Sequence, residues 1–370
     1  MEARIHKIAA GSPDDVSGLE EKIAAGVIDP RRIVAILGKT EGNGCVNDFT
    51  RGFGASALKA SIARFTGEGS DVVERRVVIV MSGGTEGGLS PHWLVFEVVP
   101  GGGEVASGRK ALAIGTAVTR PFAAHEVGRM AQIEATAAAV REAMLAAQIE
   151  DVSDVHYVQV KCPLLTKSRI AAAKAVGKDV ATEDTLKSMA FSRGASALGV
   201  ALALGEVSPA AVDDTVVCRD FGLYSNRAST SAGVELLENQ ILVVGNSRLW
   251  AGDQVVAHDV MQDAIDSGAV VRALCAAGLP AGYPLGTEAQ ERLGAVLCKA
   301  EASESGLIRG ARHTMLDDSD IASSRHARSV VGGVVAGVVG STMLFVSGGA
   351  EHQGPNGGGP IAVIARMSPN

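Results

Sequence analysis

The sequence predicts an α/β protein: three pseudo-equivalent α/β repeat units around a pseudo-threefold axis, with their sheets forming a central barrel-like core and the helices outside. Three observations predict this. A Ser-[Gly/Ala]-Gly-x-Glu pentad is spelled three times, starting at Ser82, Ser231 and Ser347. Each serine is preceded by a lysine that ends an apolar run: Lys39 after IVAILG, Lys161 after HYVQV and Lys299 after GAVLC, lying 43, 70 and 48 residues upstream. Between each lysine and serine stands an arginine among small residues: Arg51, Arg193 and Arg325. One order kept three times marks a repeated unit whose copies face a common centre.

The first unit spans 1–104. ARIHKIAA opens it as a strand, and a helix from Asp14 to Ala25 follows, with Ser12, Asp14 or Asp15 as caps and an apolar stripe at Val16, Leu19 and Ile23. Strand Ile33 to Leu37 delivers Lys39, a helix runs from Ala55 to Phe65, and VVIVM leads into Ser82. The glycine cluster from Pro100 to Glu104, with Gly108, reads as a linker.

The second unit, 111–250, begins with ALAIGTAV and a long Ala- and Glu-rich helix from about Gly128 to Gln148. Lys161 follows. The polar stretch from Arg169 to Asp184 has no counterpart in the other units and reads as an insertion, and a helix covers Ala195 to Leu204. The third unit, 254–370, opens with QVVAHDVM and a helix through Val270 to Ala276. It ends in a glycine-rich loop from Ser347 to Pro360.

Composition narrows the function. A net charge of -7 and an aromatic content of 4% supply neither the basic field nor the stacking platform of a nucleic-acid binder. Five scattered cysteines without a CxxC pair suit a reduced cytoplasmic protein and argue against a zinc cluster. The N-terminal MEARIHKIAAGSPDD has no apolar core, so no secretory signal is expected. The uncharged stretch from Ser329 to Ala350 imitates a membrane segment, but its switch to the β-rich TMLFV fits a packed helix running into a buried strand. Gly38-Lys39-Thr40 ends like a phosphate loop, yet Ile33 stands where the earlier glycine is required.

The recurring residues suggest acyl transfer. A serine hydroxyl needs a base, and lysine serves only when neutral, which burial and neighbouring cations favour. Arginines stay charged and grip carbonyls or anions, and N–H groups of the glycine turns suit an oxyanion. A cyclic amide or imide with repeated carbonyl and N–H groups would match three repeated seats. Alternatives are a Ser-His-Asp arrangement using His92 or His352, and Glu86, Glu235 and Glu351 as acids, although these glutamates read better as anchors of the turns or lysines.

Longer segments carry a resemblance. LGKTEGNGCVNDFTR, VMSGGTEGGLSPHW, VQVKCPLLT, SRGASALG, RHTMLDDSDI and VSGGAEHQGPNGGGPIAVIAR resemble hallmark motifs of the ring-opening amidohydrolases across essentially the whole chain. The resemblance implies an enzyme of s-triazine degradation that opens cyanuric acid to carboxybiuret, which decarboxylates to biuret. The alternative within the family is barbituric acid opened to ureidomalonate, and outside it a non-catalytic binder of cyclic imides. It implies Lys161 as base and Ser231 as nucleophile, with Lys39 and Lys299 in supporting dyads. Substrate contacts implied are Arg51, Ser82, Gly83, Arg193, Ser231, Ala232, Arg325, Ser347 and Gly348. No catalytic cofactor is implied. A structural divalent cation, Mg²⁺ or Ca²⁺, is, with Glu301, Ala350, Gln353, Gly354, Pro355 and Gly358 as ligands. The expected assembly is a homotetramer, without nucleic-acid or membrane partners.

Overall fold

The computed structural model describes residues 1–101, 109–280, 282 and 284–368. Most of the linker read at Pro100 to Gly108 lies outside the described residues. In chain order the strands are β1 (Glu2–Ala9), β2 (Ile33–Thr40), β3 (Val78–Gly83), β4 (His92–Val99), β5 (Ala111–Val118), β6 (Val155–Cys162), β7 (Ala228–Ala232), β8 (Gln240–Ser247), β9 (Gln254–Met261), β10 (Leu293–Ala300), β11 (Leu307–Ile308), β12 (Ala311–Arg312), β13 (Phe345–Gly348) and β14 (Gly359–Arg366). The helices are α1 (Ser17–Ala24), α2 (Phe49–Thr66), α3 (Ser70–Arg76), α4 (Met130–Ala146), α5 (Lys167–Ala175), α6 (Thr185–Ala203), α7 (Ser267–Ala276), α8 (Thr287–Arg292) and α9 (Ser323–Val339).

The twelve long strands sort into three four-stranded sheets with one shared order: β1-β4-β2-β3, β5-β8-β6-β7 and β9-β14-β10-β13. In each, the first and second strands of the unit pair antiparallel to the fourth, and the second pairs parallel to the third. The barrel-like core expected from the sequence is corrected here. The strand ladders stay within each sheet of four, and β pairing across unit boundaries is limited to the isolated bridges Glu2–Ala251 and Ser225–Gln353, so among the described residues no single barrel forms and the sheets meet mainly through side chains.

Their strands read as nearly unbroken apolar runs because both faces are covered. Alternate residues go to opposite sides. Ala35, Leu37, Leu94 and Phe96 of the first sheet join Ala295, Leu297, Ala362 and Ile364 of the third and Ile114, Tyr157 and Leu242 of the second in one shared inner core. Ile36, Trp93 and Val95 turn outward beneath α1 and α2, and Val296, Cys298 and Val363 turn outward beneath α7 and α9.

Several element boundaries differ from the sequence reading. Helix α2 starts at Phe49, so Arg51 sits in its first turn, and Asp48 caps it by accepting a hydrogen bond from Thr50 N at 3.1 Å. The stretch read as an insertion contains most of α5, capped by Thr166, which accepts from Arg169 N at 3.2 Å. The uncharged stretch is, as read, a helix running into a buried strand: the latter part of α9, which ends at Gly340 in the left-handed conformation, and then β13. None of the described helices is long and apolar enough to cross a membrane.

Candidate active site

Strand period aims the lysines. Two residues beyond the inward-facing Leu37 and Leu297 come Lys39 and Lys299, which therefore point to the shared interior. The parallel ladder then sets each lysine beside its serine, with Lys39–Ser82, Lys161–Ser231 and Lys299–Ser347 as direct register partners. All six side chains are buried.

Each buried ammonium finds an acceptor in another unit, on the residue just before that unit's serine. Lys39 Nζ donates to Val346 O at 2.5 Å, Lys299 Nζ to Thr230 O at 3.0 Å and Lys161 Nζ to Met81 O at 3.2 Å. Lys39 and Lys299 also donate to their own serines, at 3.3 and 3.2 Å. The middle pair departs from this pattern. Lys161 Nζ pairs with Glu235 at 3.0 Å, and Ser231 Oγ shares a 3.1 Å hydrogen bond with Ser347 Oγ.

Burial lowers all three lysine pKa values. Lys39 falls well below the usual lysine range, with Arg328 adding to the effect. Lys299 falls to about 7 with help from Arg193. Lys161 is lowered by burial while Glu235 opposes the shift.

The serines open onto one cleft with about 290 Å³ of empty space, its mouth included. Its walls are Ser82, Ser231 and Ser347, the small residues after them (Gly83, Ala232 and Gly348), three arginines, and Gly44, Met81 and Met189. The arginines are Arg51, Arg193 and Arg328.

Arg325, expected at the third seat, does not line the cleft. Its side chain is 38% exposed and its Nε lies 4.0 Å from Glu86. One turn further along α9, Arg328 points inward and is buried. Lacking the Ser or Thr that precedes Arg51, Arg193 and Arg325, Arg328 offered no motif to match. The readable signal was a charge on the buried stripe of α9, in line with Val331 and Val335.

The repeated glutamates fix these arginines across unit boundaries. Glu86 of the first unit takes both its carboxylate oxygens to Arg328 Nε of the third at 3.1 Å, and Glu351 of the third accepts from Arg193 Nε of the second at 2.8 Å. Gly84 and Gly349, two residues before those glutamates, adopt φ of 104° and 78°, and a Cβ at either would collide with the arginine.

The histidines weighed as catalytic groups do not line the cleft. His92 is buried in the core, bonds Ser90 O through Nδ1 at 2.8 Å, and is lowered to about 4 by burial. His352 accepts from Cys218 N at 2.8 Å and donates to Leu223 O at 2.6 Å, which leaves no ring nitrogen for a serine.

Of the residues expected around a cation, Glu301 follows β10 and accepts from Ala350 N at 2.7 Å and Ala302 N at 3.0 Å, tying it to the glycine-rich loop. In that loop Gln353 N donates to Ala350 O and Gly358 N to Pro355 O, each at 2.9 Å, and Gly354 N reaches Ser225 O at 2.9 Å.

A family model describing amidohydrolase ring-opening proteins matches residues 4–366. The chain belongs to the ring-opening amidohydrolases. This membership makes it a hydrolase, and its relatives agree. A cyanuric acid amidohydrolase of Azorhizobium caulinodans is 57% identical, with 98% of each chain covered. One of Ectopseudomonas oleovorans is 54% identical over 99% of this chain and 100% of its own. Among solved structures, a cyanuric acid hydrolase described as an evolutionary innovation by structural concatenation superposes with a TM-score of 0.95 at 49% identity, covering 99% of both chains. The A. caulinodans enzyme superposes with a TM-score of 0.91 at 55% identity, covering 100% of this chain and 99% of that one.

Proposed function

We propose that this ring-opening amidohydrolase hydrolyses cyanuric acid to carboxybiuret, which then loses carbon dioxide to give biuret. The observation that carries this reading is the convergence of one serine and one arginine from each third of the chain on a single small cleft. Three equivalent seats match a small ring that presents the same carbonyl and N–H pattern three times.

Ser231 Oγ attacks a ring carbonyl carbon while neutral Lys161 takes the hydroxyl proton. The tetrahedral intermediate collapses with rupture of the ring C–N bond, and Lys161 returns the proton to the leaving nitrogen. Water then hydrolyses the acyl-serine by the same base. The arginines hold the two carbonyls that do not react, and main-chain N–H groups after the serines face the developing oxyanion. The reading treats the three units as an internal triplication, with bounds 1–104, 111–250 and 254–370. The family resemblance further implies a cytoplasmic homotetramer, its subunit count measurable by light scattering.

Incubating the purified protein with cyanuric or barbituric acid and following ultraviolet absorbance tests the substrate. Loss of the cyanuric acid signal alone is expected. Faster loss of barbituric acid would reassign the enzyme to that substrate, and tight binding of either ring without turnover would make it a binder.

We also propose a structural Mg²⁺ or Ca²⁺ held by Glu301 and main-chain oxygens of Ala350, Gln353, Gly354, Pro355 and Gly358. The donor chemistry fits. Burial and the adjacent Glu351 charge push the Glu301 carboxyl up to about 6, a strain that a cation would relieve. Among the described residues no cluster of three His, Cys, Asp or Glu side chains gathers, so carbonyl oxygens must complete the shell. When bound, the ion supplies fixed positive charge and cross-links the loop to β10. Chelation is expected to lower Tm and added Mg²⁺ or Ca²⁺ to restore it, since ligand at a hundredfold its Kd stabilises by about 2.7 kcal/mol. An unchanged Tm would count against the site.

A further inference from the structure

The three glutamates are not used alike. Glu86 of the first unit holds Arg328 of the third, and Glu351 of the third holds Arg193 of the second. The same handoff requires Glu235 of the second unit to hold Arg51 of the first, and it does not. Glu235 lies on Lys161 instead, and Arg51 Nε is buried without a hydrogen-bond partner. The nearest acid to that nitrogen, Asp48 Oδ2, stands 3.8 Å away and already accepts from Gly44 N at 2.8 Å. The two Arg51 terminal nitrogens are used, on Ala232 O at 3.0 Å and Cys45 O at 2.6 Å. The unfilled position is therefore the one that Glu86 and Glu351 fill on their own arginines.

Glu235 is also the most exposed member of the trio. Its side chain is 35% exposed, against 9% for Glu86 and 14% for Glu351. Its turn differs as well, because Gly233 lacks the positive φ of Gly84 and Gly349.

We propose that Glu235 is a positioning residue that moves between two partners: Lys161 in the empty cleft, and Arg51 Nε when Lys161 must act as a base. The inference rests on Lys161 being the base that activates Ser231. On the move, an ammonium N–H bond of Lys161 breaks and the proton passes to the Glu235 carboxylate. From there it goes to bulk water, leaving a neutral amine and a carboxylate free to pair with Arg51. Lys39 and Lys299 have no such route, since their ammonium groups contact only buried serines and carbonyls. The middle dyad is thereby the one that can load and unload a proton.

The charged and titratable groups facing Lys161 are Glu235 from the turn after β7, Arg51 from α2 and Cys162 from β6. Asp48 lies beyond Arg51. On its outer side Glu235 borders a pocket lined by Lys59 and Glu74, themselves paired at 3.0 Å. Burial opposes ionisation of Glu235, yet Lys161 and Arg51 pull its pKa down to about 2, so its resting form is the anion and it carries the Lys161 proton only in passing.

The test is the acid limb of kcat/KM against pH, which reports the free enzyme. Removing the anion removes the negative charge that favours protonated Lys161, so Glu235→Gln is expected to shift this limb to lower pH by about one unit. A limb that stays in place or moves to higher pH overturns the proposal, and a purely structural glutamate would alter yield or Tm without moving it. Lys161→Ala is run beside it. Retained hydrolysis there overturns the choice of base itself, whereas a dead Lys161→Ala with an unmoved Glu235→Gln limb overturns only the part given to Glu235. Should Glu235→Gln fail to fold, a crystal structure of the parent enzyme with a non-hydrolysable ring decides. The carboxylate is expected within hydrogen-bond distance of Arg51 Nε, and finding it still on Lys161 defeats the idea.

Discussion

Ser231→Ala and Lys161→Ala are each expected to lower kcat at least about a thousandfold, as removal of a nucleophile or its base does elsewhere. Ser82→Ala and Ser347→Ala are expected chiefly to raise KM. The physical reason lies in how the lysines are committed. Lys39 and Lys299 donate to their own serines while also anchoring carbonyls of neighbouring units, so those dyads are closed hydrogen-bond networks. In the middle dyad Lys161 is held by a rim glutamate, and Ser231 Oγ bonds only to the hydroxyl of Ser347, which a substrate carbonyl can displace. Steady-state kinetics on the four variants checks the assignment. An active Ser231→Ala beside an inactive Ser82→Ala would transfer the nucleophile to the first unit.

Arg328→Ala is expected to lose both turnover and stability, whereas Arg325→Ala keeps most of each. Arg328 is buried against Glu86, with side-chain exposures of 4% and 9% for the pair. Deleting one partner of such a pair strands the other charge out of water, at a cost of about 3–5 kcal/mol. It also removes a wall of the cleft. Arg325 is partly solvated and lies off the cleft, so its loss should change stability by within about 0.5 kcal/mol. Arg328→Lys separates the two effects, because it keeps the charge but loses the fork that spans both Glu86 oxygens. Denaturation midpoints and KM for the three variants give the answer. Equal damage from Arg325→Ala would restore that residue to the site.

Much of the site was legible because its parts lie on strand ends, where the period of two fixes direction and the ladder fixes the neighbour. Lys39, Lys161 and Lys299 could be matched to Ser82, Ser231 and Ser347 from order alone, and the structure puts each pair in register. The arginines sit on helices, where a shift of three residues stays on nearly the same face. Arg325 and Arg328 were therefore separable only by the packing of α9 against β13. Helix starts were missed for a related reason. Gly52 and Gly54 discount helix propensity, yet tertiary contacts and the Asp48 cap begin α2 at Phe49. The barrel-like core failed because apolar strands show that both faces are covered but not which strands share hydrogen bonds.

The lysine-to-carbonyl handoff, with Lys39 on Val346, Lys299 on Thr230 and Lys161 on Met81, means that no third of the chain is chemically complete by itself. Three identical separate chains could close the same circle, but every edit to one seat would then be copied into all. Joining the thirds in one polypeptide gives each seat its own codon. That freedom is what permits alanine at position 232 and a carboxylate at 235 that sits on a lysine while its sister carboxylates hold arginines.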